Sequence, residues 1–209
     1  MDILLANLYN KTMFKRLSTF FLDISEVIVF AVGIFFFVYL LIMRPHKIDG
    51  QSMMPNYQNA EYLLTEKVTY YLHKPQRGDV VVLRPPQVVS EGDEFIKRVV
   101  GLPGETVKIF GGHIYINGKL LNEPYIAGDV ITYGGPFLAD NMDYVVPSER
   151  YFVMGDNREH SSDSRYWGPV SLNLSPNSDK EGINGRAWII YWPLNKIGVT
   201  KSPTYSYGN

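Results

Sequence analysis

The chain has 209 residues, 45% of them hydrophobic, with a formal net charge of −1 and no cysteine. Twenty Lys and Arg against 21 Asp and Glu supply no field for a polyanion, so nucleic acid is not an expected partner. The missing cysteines exclude disulfides, thiol nucleophiles and thiolate metal sites. His46, His73, His113 and His160 share no ligand spacing, so neither a metal nor a histidine-based triad is expected, and no cofactor. The length suits one folded domain plus an anchor.

From Val27 to Met43 the sequence runs "VIVFAVGIFFFVYLLIM" without a charge, bracketed by "DISE" and "RPHK". As a helix this run spans roughly 26 Å, near the ~30 Å of a bilayer's hydrocarbon core. A cleaved signal peptide would be shorter and end in small residues, whereas this stretch ends in "LLIMRPHK". A buried core helix would show a polar face, and this run is apolar all round. The expected organisation is a cytoplasmic leader over 1–23 and a single-pass transmembrane anchor over 24–43. Lys11, Lys15 and Arg16 before the span, against Arg44 and Lys47 after it, lean toward a cytoplasmic N-terminus. The leader is mildly amphipathic, suited to lying along the inner surface or to fraying.

Beyond the anchor, short β-branched and aromatic runs cut by glycine and proline predict an antiparallel β fold. "GDVVVL" (78–83), "FIKRVV" (95–100), "RYFVMG" (150–155) and "RAWIIYW" (186–192) read as strands. "HIYINGKLL" (113–121) reads as a hairpin, with Asn117-Gly118 supplying the positive φ angles of a type I′ turn. A helix is expected over 59–74, "NAEYLLTEKVTYYLHK", from its three-to-four apolar spacing. One β-rich domain over 44–200 and a flexible tail over 201–209 complete the reading. "RGD" at Arg77–Asp79 reads as a turn entering a strand, not an adhesion signal.

Three stretches carry candidate chemistry. In "GQSMMP", Ser52 needs a base to become a nucleophile, yet neither G-x-S-x-G nor S-x-x-K surrounds it. In "EFIKRVVGLPGE", period-two alternation places Lys97 on the apolar face of Phe95 and Val99, with Ile96 and Arg98 opposite. Burial there lowers a lysine pKa toward neutrality and makes the amine a proton acceptor. The alternative is a surface lysine whose stem covers the strand. In "YFVMGDNREHSSDSRYWGPV", Ser161, Ser162 and Ser164 can bond a buried amine, Asp163 can pair with Arg165, and Gly155 allows close backbone approach. A solvated Ser/Asp loop is the alternative there.

Taken in order, "GQSMMP", "RGDVVVL", "KRVVGLPGE" and "GDNREHSSDSRYWGPV", behind an N-terminal apolar segment, resemble the type I signal peptidases. These are membrane-anchored Ser/Lys proteases that remove signal peptides from exported proteins. The resemblance spans roughly residues 25–192 and implies a mainly β fold of coiled antiparallel sheets, a core shared with self-cleaving repressors. It implies Ser52 as nucleophile and Lys97 as general base. It places Ser161 as the hydroxyl orienting the lysine, and Asp156 with Arg98 and Asp163 with Arg165 as structural ion pairs. Ile48, Met53, Tyr57, Phe95 and Ile96 match positions lining shallow substrate pockets. The oxyanion hole implied is the Ser52 N–H plus a donor at position 50, where Gly50 replaces the serine of some members, so that either a backbone group substitutes or the hole has one good donor. Asn56, where threonine is common, and His160, where asparagine is common, are read as tolerated variation.

The activity implied is endopeptidase cleavage of preproteins after small-x-small sites, at the plasma membrane, on the extracytoplasmic side, by a monomer. An extended substrate would add to a sheet edge beside Ser52. A self-cleaving repressor is disfavoured because a membrane segment stands where its DNA-binding domain would be. An anchored β-rich binding module without catalysis is the alternative from another class.

Overall fold

No proline interrupts residues 2–41 and the only glycine there is Gly33, so helical hydrogen bonding, once nucleated, propagates through the whole stretch. In the computed structural model α1 spans Asp2–Leu41. The structure describes residues 2–205 apart from 42, 91, 127, 129, 176–179, 201 and 204, with the side chains of 2–12 and 38–41 also outside the description. The chain divides into two units, 1–42 and Met43–Asn209. Within the first, Met13–Phe37 forms an apolar stretch of mean hydropathy 2.2 with none of its residues buried. Ser18 and Thr19 turn their hydroxyls back onto the Lys15 carbonyl, and Ser25 onto Leu22, so these polar groups are met within the helix. The expected boundary at residue 23 is therefore not a helix boundary, and the expected anchor end, Met43, already lies in a strand.

The second unit is built from β1 (Met43–Lys47), β2 (Tyr62–Glu66), α2 (Val68–Leu72), β3 (Val80–Arg84) and β4 (Phe95–Gly101), followed by β5 (Thr106–Phe110), β6 (His113–Ile116), β7 (Lys119–Leu120) and β8 (Asp143–Val145). It continues with β9 (Arg150–Met154), α3 (Ser164–Trp167), β10 (Val170–Ser171), β11 (Gly182–Trp192) and β12 (Gly198–Val199). One sheet runs β1-β2-β11-β3-β4-β9-β10, with β12 on β11; the other runs β7-β6-β5-β8. The pairs among these strands are antiparallel, and an isolated bridge between Leu172 and Ile183 is parallel. The fold is mainly β, as expected.

The run "VVVL" is apolar at every position because β3 is covered on both faces. Val81 and Leu83 join a cluster with Val99, Tyr151 and Val153, while Val80 and Val82 join another with Ile48, Met53, Tyr57 and Leu63. A third cluster joins the sheets through Ile109, Ile114, Phe152 and Met154. Asn117 and Gly118 take φ values of 51° and 77°, as a type I′ hairpin requires.

The helix expected over 59–74 is mostly not one. Tyr62–Glu66 is a strand paired on both edges, with β1 and with β11, and only Val68–Leu72 is helical. Pairing on two edges outweighs a weak local helical pattern. The tail differs as well. Ser202 donates to Asp79 at 2.9 Å, and Tyr205 packs against the third cluster, its ring centroid 6.1 Å from that of Tyr125. Residues 201, 204 and 206–209 lie outside the described residues.

Candidate active site

The Ser52 turn is held from below and from the side. Tyr57 N–H donates to the Met53 carbonyl at 3.0 Å, and Met54 N–H to Gln51 at 3.1 Å, winding 51–57 into a tight turn. Ile48, Met53 and Tyr57 are almost wholly buried beneath it, so the unbranched methionine beside the serine anchors the turn in the core. From the side, Asn157 N–H donates to the Ser52 carbonyl at 3.0 Å and its amide to Gln51 at 3.1 Å. Asn56 donates to Asp156 at 2.9 Å and to the Tyr125 carbonyl at 2.8 Å.

Strand β4 brings Lys97 to this turn. The residue is 3% exposed, and Nζ lies 2.7 Å from Ser52 Oγ and 3.0 Å from the Ile96 carbonyl oxygen. Burial lowers the amine from the ordinary lysine value to about 8; Asp163 and Asp156 oppose the shift and Arg165 adds to it. A hydroxyl within hydrogen-bond reach of an amine that loses its proton near pH 8 can be deprotonated by it. The surface-lysine alternative does not describe this residue.

The loop after β9 supplies the remaining charges, and both expected ion pairs form. Arg98 meets Asp156 with Nε–Oδ1 at 2.8 Å and Nη2–Oδ2 at 2.6 Å, and donates to the Gly78 carbonyl at 2.9 Å. Asp163, fully buried, accepts from Arg165 Nε at 2.8 Å and Nη2 at 2.9 Å, and from the Gly155 N–H at 3.1 Å. A Cβ on Gly155 would collide with Ser161 and with the Ser52 carbonyl, so the close approach expected at this glycine is to those two groups. Among the described residues no group of three His, Cys, Asp or Glu is placed to hold a metal.

Three of the expected features are placed as follows. Ser161 is buried beside Gly155, but its hydroxyl has no hydrogen-bond partner and no bond joins it to Lys97. The five expected pocket residues pack in two groups. Phe95 packs with the second cluster under the lysine amine, 5.2 Å from its ring centroid, while Ile96 packs with Ile48, Met53 and Tyr57. Tyr57 lines a cavity of about 300 Å³ with Asn56, Arg98, Tyr125 and Ile190, which neither Ser52 nor Lys97 reaches. Gly50 N–H is occupied by Asn59 Oδ1 at 3.0 Å, so it is not a spare oxyanion donor. Gly50 also has a φ of 110°, so an alanine there would be strained whatever its effect on catalysis.

A family model for "Signal peptidase, peptidase S26" matches residues 21–192. The chain belongs to the S26 signal peptidases. The probable signal peptidase I-2 of Synechocystis is 35% identical over 181 residues, covering 85% of this chain and 76% of that protein. Signal peptidase I S of Bacillus subtilis is 36% identical over 183 residues, covering 86% and 93%. A crystal structure of a signal peptidase I from Enterococcus faecalis is 31% identical and covers 55% of this chain and 97% of that one, with a TM-score of 0.40. This signal peptidase is thus a serine endopeptidase acting on preproteins.

Sequence reasoning missed two features of the signal peptidase site. Asn56, set aside as neutral variation, ties the nucleophile turn to the Arg98–Asp156 pair. Glu94, one residue before β4, meets His46 of β1 at 3.0 Å. Neither contact has a local signature, because the partners are 100 and 48 positions apart.

Proposed function

We propose that this chain is a membrane-anchored signal peptidase I in which Ser52 is the nucleophile and Lys97 its general base. The observation that carries this reading is the 2.7 Å contact between a buried amine and the Ser52 hydroxyl. Neutral Lys97 takes the Ser52 proton as Oγ bonds to the scissile carbonyl carbon, and the carbonyl electron pair moves onto oxygen. The Ser52 N–H holds that oxyanion, with no second donor assigned. The lysine ammonium then protonates the departing amine as the C–N bond breaks. Lys97 next takes a proton from water, whose oxygen attacks the acyl carbon, and Ser52 leaves with that proton. Ser161, with no other partner, is assigned to steady the amine while it carries charge.

The substrate would enter as a strand. Ile48 exchanges two backbone bonds with the Ala60–Glu61 segment, which turns the backbone groups of Lys47 and Asp49 to the open side of β1. On β4, pairing with β9 begins at Arg98, leaving Phe95–Lys97 without a strand on that side. A peptide laid between these two edges meets Ile48 and Ile96, whose bulk favours small side chains and explains small-x-small selection. The stretch 13–37, about 38 Å as a helix, crosses the bilayer with the N-terminus cytoplasmic, the domain beyond residue 43 outside, and the enzyme a monomer.

Full-length enzyme in detergent is expected to cut an Ala-x-Ala preprotein after the second alanine, and bulky replacements at either alanine to abolish the cut. Cutting elsewhere, or none by a folded enzyme, overturns the reading. Because only the neutral amine accepts a proton, kcat/KM should climb about tenfold per pH unit and level off above about 8. A profile already flat at pH 6 would exclude Lys97 as the base. Stability carries the matching sign. Between pH 8 and 10.5 the unfolded lysine binds a proton that the folded one has released, so stability rises with pH through that window.

A further inference from the structure

β1 is the edge of the large sheet, separated from β4 by β2, β11 and β3 in strand order. Yet His46 on β1 lies 3.0 Å, Nδ1 to Oε2, from Glu94, the residue before β4. The sheet therefore curls until its edge strand faces the start of β4, which pairs with β3 but not with β9. These are the two rails between which the proposed substrate strand would lie, and His46–Glu94 is a side-chain contact between them. Strands flanking an inserted strand stand about 9.6 Å apart, twice the ordinary interstrand spacing. An imidazole meeting a carboxylate has the reach for such a span.

Both partners are held. Glu94 Oε1 accepts from Asn184 of β11 at 3.0 Å and lies 3.7 Å from Arg84 Nε of β3. The His46 hydrogen bond, then Asn184 and Arg84, hold the carboxyl below its ordinary value against the opposing effect of burial. His46 Nε2 lies 2.9 Å from Thr65 Oγ1, and that hydroxyl donates to the Arg44 carbonyl at 3.3 Å. The imidazole is thus held on both sides, by Thr65 of β2 and by the Glu94 carboxylate, whose other contacts reach β3 and β11. None of these groups reaches Ser52.

We propose that His46 and Glu94 are a positioning pair, a clasp that fixes the width of the peptide groove and so sets substrate affinity without entering the chemistry. This rests on the strand-addition reading of the groove given above. Loss of the clasp lets the rails separate, and the ordering that the folded groove supplies in advance must come from binding energy instead.

The test is steady-state cleavage of an Ala-x-Ala preprotein by full-length enzyme, comparing wild type with His46→Ala, Glu94→Gln and the double variant. Each single change is expected to raise KM roughly tenfold while kcat and its pH midpoint stay near wild type. The double variant should be no worse than the worse single one, because the two changes remove one interaction. His46→Asn, which keeps a donor toward Glu94, should recover much of the affinity. Thermal melting accompanies each variant, and if His46→Ala does not fold, Glu94→Gln carries the same comparison with its size unchanged. An unaltered KM overturns the clasp, and so does a fall in kcat with a shifted pH midpoint, which would place the pair in the electrostatics of the dyad. Failure of wild type itself to cut would instead overturn the proposed function.

Discussion

Replacing Ser52 by alanine, or Lys97 by methionine, is expected to lower cleavage of an Ala-x-Ala preprotein by at least about a thousandfold, the scale of losing a nucleophile or its base. Methionine is the informative choice at 97, since it fills the same volume without a proton acceptor. Its effect on stability should run the other way. At pH 7 the lysine is charged in both folded and unfolded chains, and the gap between the ordinary value and about 8 corresponds to roughly 3 kcal/mol of burial cost. Removing the amine relieves most of that cost, so Lys97→Met should melt a few degrees higher while inactive. Active sites sacrifice stability in this way, and a purely structural lysine would not. Calorimetry beside the cleavage assay checks both parts. An inactive variant that melts lower would make Lys97 a structural residue, and a fully active one would free it of any role as base.

The second large effect is expected at Asp163. Arg165 is 1% exposed and its guanidinium meets this carboxylate with two nitrogens. Asp163→Ala leaves that cation buried without its counter-charge, which costs about 3 to 5 kcal/mol in comparable pairs. It also orphans the Gly155 N–H, which approaches the same carboxylate at 3.1 Å. In a domain of this size the loss corresponds to roughly 10 °C in melting temperature. Activity at neutral pH should fall as well, because Gly155 backs the Ser52 carbonyl. A variant melting within about 2 °C of wild type would mean that Arg165 finds another partner or reaches solvent.

Much of the fold was legible. The strands at 78–83, 95–100, 150–155 and 186–192 announce themselves through β-branched runs bounded by glycine, and the 113–121 hairpin through Asn117-Gly118. The strand over Tyr62–Glu66 was not, because its apolar residues also fit a helix and only its two neighbours decide. Nor was β1, since "MRPHK" carries no strand pattern and becomes one by lying along β2.

The sequence by itself determined the candidate chemistry. Ser52 without a histidine base and Lys97 on an apolar strand face are legible in it, the resemblance of its ordered motifs to the signal peptidases is what pairs them, and the apolar run before them is long enough for a membrane. Tertiary structure decided what those residues meet. Lys97 and Ser52 are 45 positions apart and touch, whereas Ser161, assigned to the same amine by resemblance, does not bond it. Tyr57 packs in the core while lining a cavity with Arg98 and Tyr125, Gly50 gives its N–H to Asn59, and His46 crosses to Glu94. The physical reason is that residue type and period fix what a side chain can do and which face it takes, within a few residues. Distances between remote segments follow from strand order and sheet curl, which depend on the burial of every strand at once.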